Sequence, residues 1–450
     1  MINLYESINR KNLKNLGVLI LLITFIGYLP FFFNNYSLWG DELFTLDLVK
    51  LNIIDMFNAT AIDIHPPLYY LMIKLFDSIS PFSTVVDLKL FSLVAYFFIL
   101  LTTYIILVKN LNLNIALTYV IVAVSSGKIA QYFFEARMYS LISPLVALAY
   151  ILGYLIIEKS SRKYVILINI VILSSLYIHY YSVLALIPLF IYLVYYLIKQ
   201  SRFKILLESV LVQIFGYLPW VFYFLSLISN NQSGFGSGFN FSFKELLVSV
   251  VVVFSNINNF LTFVLIVVCI FIITYSLTKE LDGDRKYGYL CVSSMMVILA
   301  GGLLLSLLFN KFFSGKYLMI SWNTFVFGLS LLIVSFSDKL RKILCIILFS
   351  LNVCTFTLVI SNEFFDIKQT QQFTSFLNEQ DKINVVHNYK DICSYYAKDT
   401  RIIEFSDAVN LSDAEYTILN YPLNGAAYKK YQPALIVIYV YRTSDLIANN

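Results

Sequence analysis

The sequence predicts a polytopic α-helical membrane protein of about eleven transmembrane helices, followed by a small extracytoplasmic α/β domain. Three observations predict it: a scarcity of charge, a recurrence of apolar runs of bilayer length, and a one-sided distribution of basic residues. Of 450 residues, 59% are hydrophobic and only 13% charged, against roughly 25% charged in an average soluble domain. So few charges cannot cover a water-soluble globule.

A helix needs about 17 to 25 apolar residues to cross the hydrocarbon core. Runs suited to that role lie at 16–33, 88–108, 115–128, 138–157, 164–178, 182–198, 205–228, 260–277, 289–309, 317–336 and 343–361. Arg10, Lys11 and Lys14 precede the first run, as in a secretory signal, but no small-residue cleavage site follows it. It ends in Pro30-Phe31-Phe32-Phe33 and reads as an uncleaved first span. Two shorter stretches, 66–80 and 246–255, read as interfacial or partly buried helices. Leu46, Val49, Ile53, Ile54 and Phe57 recur at helical spacing and predict a helix lying along the membrane surface.

The net charge of +5 suggests nucleic acid only until the basic residues are placed on this topology. Segments 1–15, 109–114, 158–163, 199–204, 278–286 and 337–342 together hold 16 Lys and Arg. By the positive-inside rule these face the cytoplasm, the N-terminus with them. The alternate loop 34–87 carries Lys50 and Lys74 against Asp41, Glu42, Asp47, Asp55, Asp63, Asp77 and Asp87. It therefore faces outward, and an odd number of spans puts the C-terminus there too. The chain is thus expected in the cytoplasmic membrane, with the bilayer and not nucleic acid as partner.

The predicted organisation is a transmembrane domain over 1–361 and a soluble extracytoplasmic domain over 362–450. In the latter, charge returns and β-rich runs appear at 383–387, 401–405 and 434–441. Cys269, Cys291, Cys345 and Cys354 fall inside spans and leave Cys393 alone outside, so no disulfide is expected. The glycine-spaced stretch 233–239 lacks the preceding strand and the Lys-Ser/Thr of a phosphate-cradling loop, and reads as an outward loop.

The chemistry-bearing residues gather in the outward loops. Ser37-Leu38-Trp39-Gly40-Asp41-Glu42-Leu43 puts two carboxylates just beyond the first span, where one can accept a proton from a hydroxyl. Asp63-Ile64-His65-Pro66-Pro67-Leu68-Tyr69-Tyr70 adds a histidine at a double proline. The next outward loop, Gln131-Tyr132-Phe133-Phe134-Glu135-Ala136-Arg137-Met138-Tyr139, offers an arginine whose planar fork suits a phosphate diester. His179-Tyr180-Tyr181, Lys311 and Lys316-Tyr317 complete the set. Each alone reads equally as a loop charge, a buried histidine or a headgroup anchor. Together, Asp41, Glu42, His65, Glu135, Arg137, His179 and Lys316 fall on one side of the membrane.

In order and motif the chain resembles the GT-C glycosyltransferases over roughly residues 15 to 340. The closest likeness is to the bacterial branch related to protein O-mannosyltransferases and aminoarabinose transferases. The residues that carry it are the acid pair after the first helix, His-Pro-Pro-Leu-Tyr-Tyr, Glu-Ala-Arg-Met-Tyr-Ser-Leu, His-Tyr-Tyr and the late basic-Tyr pair. Relatives often have arginine where Lys316 stands, so the bidentate fork is lost there.

The resemblance implies an inverting transfer of a monosaccharide from a polyprenyl-phosphate donor to a hydroxyl of a glycan, lipid or protein. Asp41 would be the base, with Glu42 and Glu135 orienting. Arg137, Lys316, His65 and Tyr139 would hold the donor phosphate, and Tyr69, His179 and Tyr180 would orient the acceptor. Some relatives use a divalent ion, for which the resemblance makes Asp41, Glu135 and His65 the candidate ligands. A lipid-linked sugar transporter would need broken helices in matching halves. An O-antigen type polymerase or ligase would centre its chemistry on a large late loop.

Overall fold

A computed structural model describes residues 2–34, 37–61, 63, 65–230, 243–254, 258–309, 313–386, 390–397, 400–405, 414–419, 429–431 and 438–443. The stretch 233–239, Lys311, His387 and residues 434–437 lie outside the described residues. Among the described residues, nine helices are long and apolar enough to cross a bilayer, the build of a polytopic helical membrane protein. Their lipid-compatible character shows on the outside: Phe98, Phe190, Phe215, Phe222, Phe263 and Ile346 are all exposed. Large apolar side chains exposed in such number suit lipid rather than water.

Two of the eleven expected spans fold as shorter helices. The 115–128 run forms Leu113–Ala123, 11 residues, and the 164–178 run forms Arg162–Leu176, 15 residues. At 1.5 Å per residue these reach about 16 and 22 Å, short of a roughly 30 Å core. The first is stopped at Ser125-Ser126-Gly127, residues that favour caps and turns over helix interiors. The single surface helix expected around Leu46 to Phe57 is two, Gly40–Lys50 and Ile53–Thr60. Asn52 breaks the run by accepting the Asp55 N–H at 3.0 Å, an N-cap that restarts the helix. Helices Leu68–Ile79 and Phe243–Phe254 occupy the two stretches read as interfacial.

The chain divides into two compact units. The first comprises Met1–Tyr28, Leu48–Phe82 and Asp87–Val359. Among the candidate spans found in the described residues the most enclosed is Gly315–Val334, a 3-10 turn running into helix Trp322–Val334, and Asn323 is buried within it. That side chain accepts from Ser143 Oγ at 2.9 Å and donates to Tyr96 Oη at 3.3 Å, so the polar group is satisfied away from water. At the crossing with helix Gly283–Phe309, Gly328 lies so close that a Cβ there would come within 2.7 Å of the Gly288 carbonyl. Small residues permit that approach of two membrane helices.

The second unit comprises Leu29–Asp47, Ser83–Val86 and Ile360–Asn450. Its sheet has five strands, β1 (Lys382–Val386), β2 (Arg401–Phe405), β3 (Tyr416–Leu419), β4 (Lys429–Tyr431) and β5 (Ile438–Arg442), in the order β2-β1-β3-β5-β4. β1 runs parallel to β2 and β3, while β5 pairs antiparallel with β3 and β4. Helix Lys390–Tyr396 lies between β1 and β2 in the chain, within the kind of crossover that a parallel pair requires. Helix Asp338–Asn378 runs on beyond position 361 without a break, and its Phe376 stacks on Tyr431 at 5.6 Å.

Candidate functional site

In the first unit, four segments far apart in sequence bring their polar side chains together. The first turns on Pro66-Pro67, which lead into helix Leu68–Ile79, where a missing N–H costs no hydrogen bond. The Leu68 N–H, one of the donors a helix start leaves unpaired, is given to the Tyr177 carbonyl at 3.0 Å. That bond fastens the His65 segment to the turn carrying His179. The turn itself is tightened by Ser182 Oγ donating to the Ser175 carbonyl at 2.9 Å and by Trp220 Nε1 donating to Tyr180 Oη at 3.0 Å.

The third segment, 132–138, is held from both ends. Phe133 packs on Tyr96 at 4.7 Å, and the Glu135 carbonyl accepts from Ser92 Oγ at 2.7 Å. The Tyr69 hydroxyl reaches that same Ser92 at 3.5 Å. Arg137 is buried at 3% exposure at the mouth of helix Tyr139–Lys159. The fourth segment is the short 3-10 turn Gly315–Ser321, carrying half-buried Lys316 and buried Tyr317.

The two histidines meet edge to face, 5.2 Å between centroids. His179 also faces Tyr139 at 5.8 Å and Tyr317 at 5.2 Å, and Tyr317 lies against Tyr181 at 4.4 Å. Asp63 sits beside this group: its carboxylate accepts from Tyr70 Oη at 3.2 Å and lies 3.6 Å from His65 Nδ1. Sequence reasoning singles out His65 and Tyr69 here and passes over Asp63 and Tyr70. Asp63 and His65 are two positions apart, and only the fold brings the acid within 3.6 Å of that ring.

Burial sets the electrostatics. It holds the His65 imidazole below its ordinary value, with Arg137 and Lys316 pushing the same way and Asp63 opposing. His179 is held well below its ordinary value by burial, then by His65, Arg137 and Lys316. Burial raises Tyr180 to about 12 and Tyr70 well above the usual phenol range, the latter helped by the Asp63 charge. Both imidazoles are therefore neutral at pH 7 while Arg137 and Lys316 supply positive charge. His179 Nδ1 accepts the Tyr181 N–H at 3.1 Å, which fixes the proton of the neutral ring on Nε2. Among the described residues Nε2 has no hydrogen-bond partner, though it is buried. An unmet buried donor costs about 1–3 kcal/mol.

Asp41 and Glu42 belong to the second unit. Their segment is anchored there by Ser37 Oγ donating to buried Asp366 Oδ2 at 2.8 Å and by the Leu38 N–H donating to Tyr396 Oη at 2.8 Å. Glu42 is buried at 1% and accepts the Trp39 N–H at 3.1 Å, so its carboxylate closes the start of helix Gly40–Lys50. Burial and then the Glu42 charge raise Tyr395 to about 12. Asp41 is half-buried. Of the candidate metal ligands, Glu135 and His65 are in the first unit and Asp41 in the second. Among the described residues no group of three or more His, Cys, Asp or Glu is placed to hold a metal ion.

The site thus combines fixed cations, two neutral imidazoles and an aromatic wall. That combination suits an oxyanion carrying an apolar or ring-shaped substituent. No protein-family model matches the chain, and no curated protein sequence matches it.

Proposed function

We propose that the chain is a membrane glycosyltransferase that moves a monosaccharide from a polyprenyl-phosphate donor to a hydroxyl acceptor on the extracytoplasmic side. The observation that carries this reading is the convergence of the four segments bearing Arg137, Lys316, His65 and His179 in the first unit, where His65, Tyr139 and Tyr317 all pack on His179. Scattered headgroup anchors would not share one another's fields. The polar cluster lies at helix starts and turns, at membrane-segment ends, where a lipid phosphate travels.

In this reading Arg137 and Lys316 neutralise the charge that grows on the leaving phosphate. A lipid phosphate is already a good leaving group, so charge stabilisation rather than a strong acid is what it needs. His65 contributes a neutral imidazole held by Asp63. Asp41 takes the proton of the acceptor hydroxyl as it attacks the anomeric carbon with inversion. Glu135 orients the acceptor, with Tyr69, Tyr180 and Tyr139 shaping the wall. The bond that the Glu42 carboxylate accepts from the Trp39 N–H favours a part for it at the start of its helix over one in the chemistry.

The turns expected on the cytoplasmic side, such as 200–202 and 335–337, are too short to hold a nucleotide-binding domain. A membrane-borne donor is consistent with that. The positive-inside distribution supports a cytoplasmic N-terminus and an extracytoplasmic C-terminus.

The test is incubation of the purified protein with a panel of polyprenyl-phosphate sugars and hydroxyl acceptors, read by mass spectrometry. Consumption of one donor with a matching mass gain on an acceptor is expected. A panel left intact by protein that is folded and inserted would refute the reading.

A further inference from the structure

The proton on His179 Nε2 has no part in the reaction proposed for the cluster. His179 is 2% exposed, and its Nδ1 is taken by the Tyr181 N–H. The ring therefore presents an N–H, and among the described residues nothing accepts from it. Buried polar groups in folded proteins almost always find a partner, and an exception points to a missing ligand or water. Its surroundings say which kind. Arg137 and Lys316, both cationic, act on it, the Asp63 carboxylate beside the cluster is engaged with Tyr70 and His65, and the rings around it are His65, Tyr139, Tyr181 and Tyr317. A donor set among cations calls for an anionic acceptor.

We infer that His179 is a phosphate-binding residue that donates Nε2–H to an oxygen of the phosphate held by Arg137 and Lys316. This assignment rests on the cluster being a phosphate site, and it moves His179 from the acceptor side of the reaction to the donor side. Neutrality serves this role: the ring offers a directional donor without adding a further charge to desolvate. The Tyr181 N–H holds the tautomer before the ligand arrives, so the donor is preorganised.

The chain has only three histidines, so selective ¹⁵N-histidine labelling gives a readable spectrum of the full-length protein in detergent micelles. Farnesyl phosphate is the lipid probe and inorganic phosphate the free one. Farnesyl phosphate should shift the His179 Nε2–H proton downfield, while farnesol should not. An equal response to inorganic phosphate alone would keep the donor role and assign it to free phosphate rather than to a lipid.

In binding measurements, His179→Phe should weaken farnesyl phosphate about tenfold or more, the worth of a hydrogen bond to a charged group. His179→Gln, whose amide N–H reaches a similar place, should recover most of it. Farnesyl phosphate bound in an Arg137-dependent manner with the Nε2–H resonance unmoved would overturn the assignment, as would no binding at all. These outcomes are separate from the fate of the glycosyltransferase reading: a phosphate held by His179 in a protein that transfers no sugar refutes that reading alone.

Discussion

In sequence, the histidine–arginine cluster of the first unit resembles the acid pair of the second unit, each being a few polar residues beside an apolar run. In the structure they are built differently. The cluster draws on four segments spread between positions 63 and 317: hydrogen bonds hold the first three, through Leu68 to Tyr177, Tyr70 to Asp63, Ser92 to Glu135 and Trp220 to Tyr180, and Tyr317 of the fourth packs on His179 and Tyr181. The acid pair is local, and one of its members is spent on capping the helix it begins. Convergence from distant segments therefore says more about function than adjacency does.

The comparison can be broken at its strongest points first. Asp41→Asn should cut sugar transfer by about 10²–10⁴-fold, the usual worth of a positioned base, while leaving insertion into membranes intact. Initial rates and membrane fractionation check both halves, and near-normal turnover would remove Asp41 from the base role. Arg137→Ala should lower kcat/KM for the lipid-phosphate donor by about 10²–10³-fold, as losing one preorganised donor to a developing charge does. A series in which only acceptor affinity moves would contradict it.

Protonation separates the two regions at a smaller scale. His65 and His179 have their folded values below the ordinary 6.5. Above that pH folded and unfolded chains are both neutral there; below it the unfolded chain binds protons that the folded one refuses. Stability should hold above pH 6.5 and fall as pH drops through the depressed folded values, by at most about 1.4 kcal/mol per pH unit for each imidazole. Thermal melts in detergent across pH 5 to 8 measure this, and His179→Gln should flatten the curve. The smallest effect is expected from Glu42→Gln: a loss of about 0.3–1 kcal/mol from the helix start, with transfer close to wild type. A collapse of turnover in a stable Glu42→Gln protein would return that residue to the chemistry.

Much of the helical build was legible because apolar length is a strong signal: among the described residues, nine of the eleven expected runs carry a helix long enough to span. The other two runs carry shorter helices, and for one of them the reason was visible in part beforehand. The 115–128 run includes Ser125, Ser126 and Gly127, whose turn chemistry outweighs the apolar average. The surface helix around Leu46 to Phe57 was broken by one side-chain cap at Asn52. His65, Arg137, His179 and Lys316 could be picked from sequence as unusual polar residues in outward loops. The acid beside them could not, since Asp63 gains its meaning only from its 3.6 Å approach to His65. The bond that fixes the tautomer of His179 is likewise a backbone contact, and no residue identity announces it.

The most direct test is a double-mutant kinetic cycle on transfer from the consumed donor, comparing wild type, Asp41→Asn, Arg137→Ala and the double variant. Residues serving one transition state are far from additive. The double variant should therefore be little slower than the slower single one. Penalties that simply multiply, or an Asp41→Asn protein that works at the wild-type rate, would contradict a shared transition state.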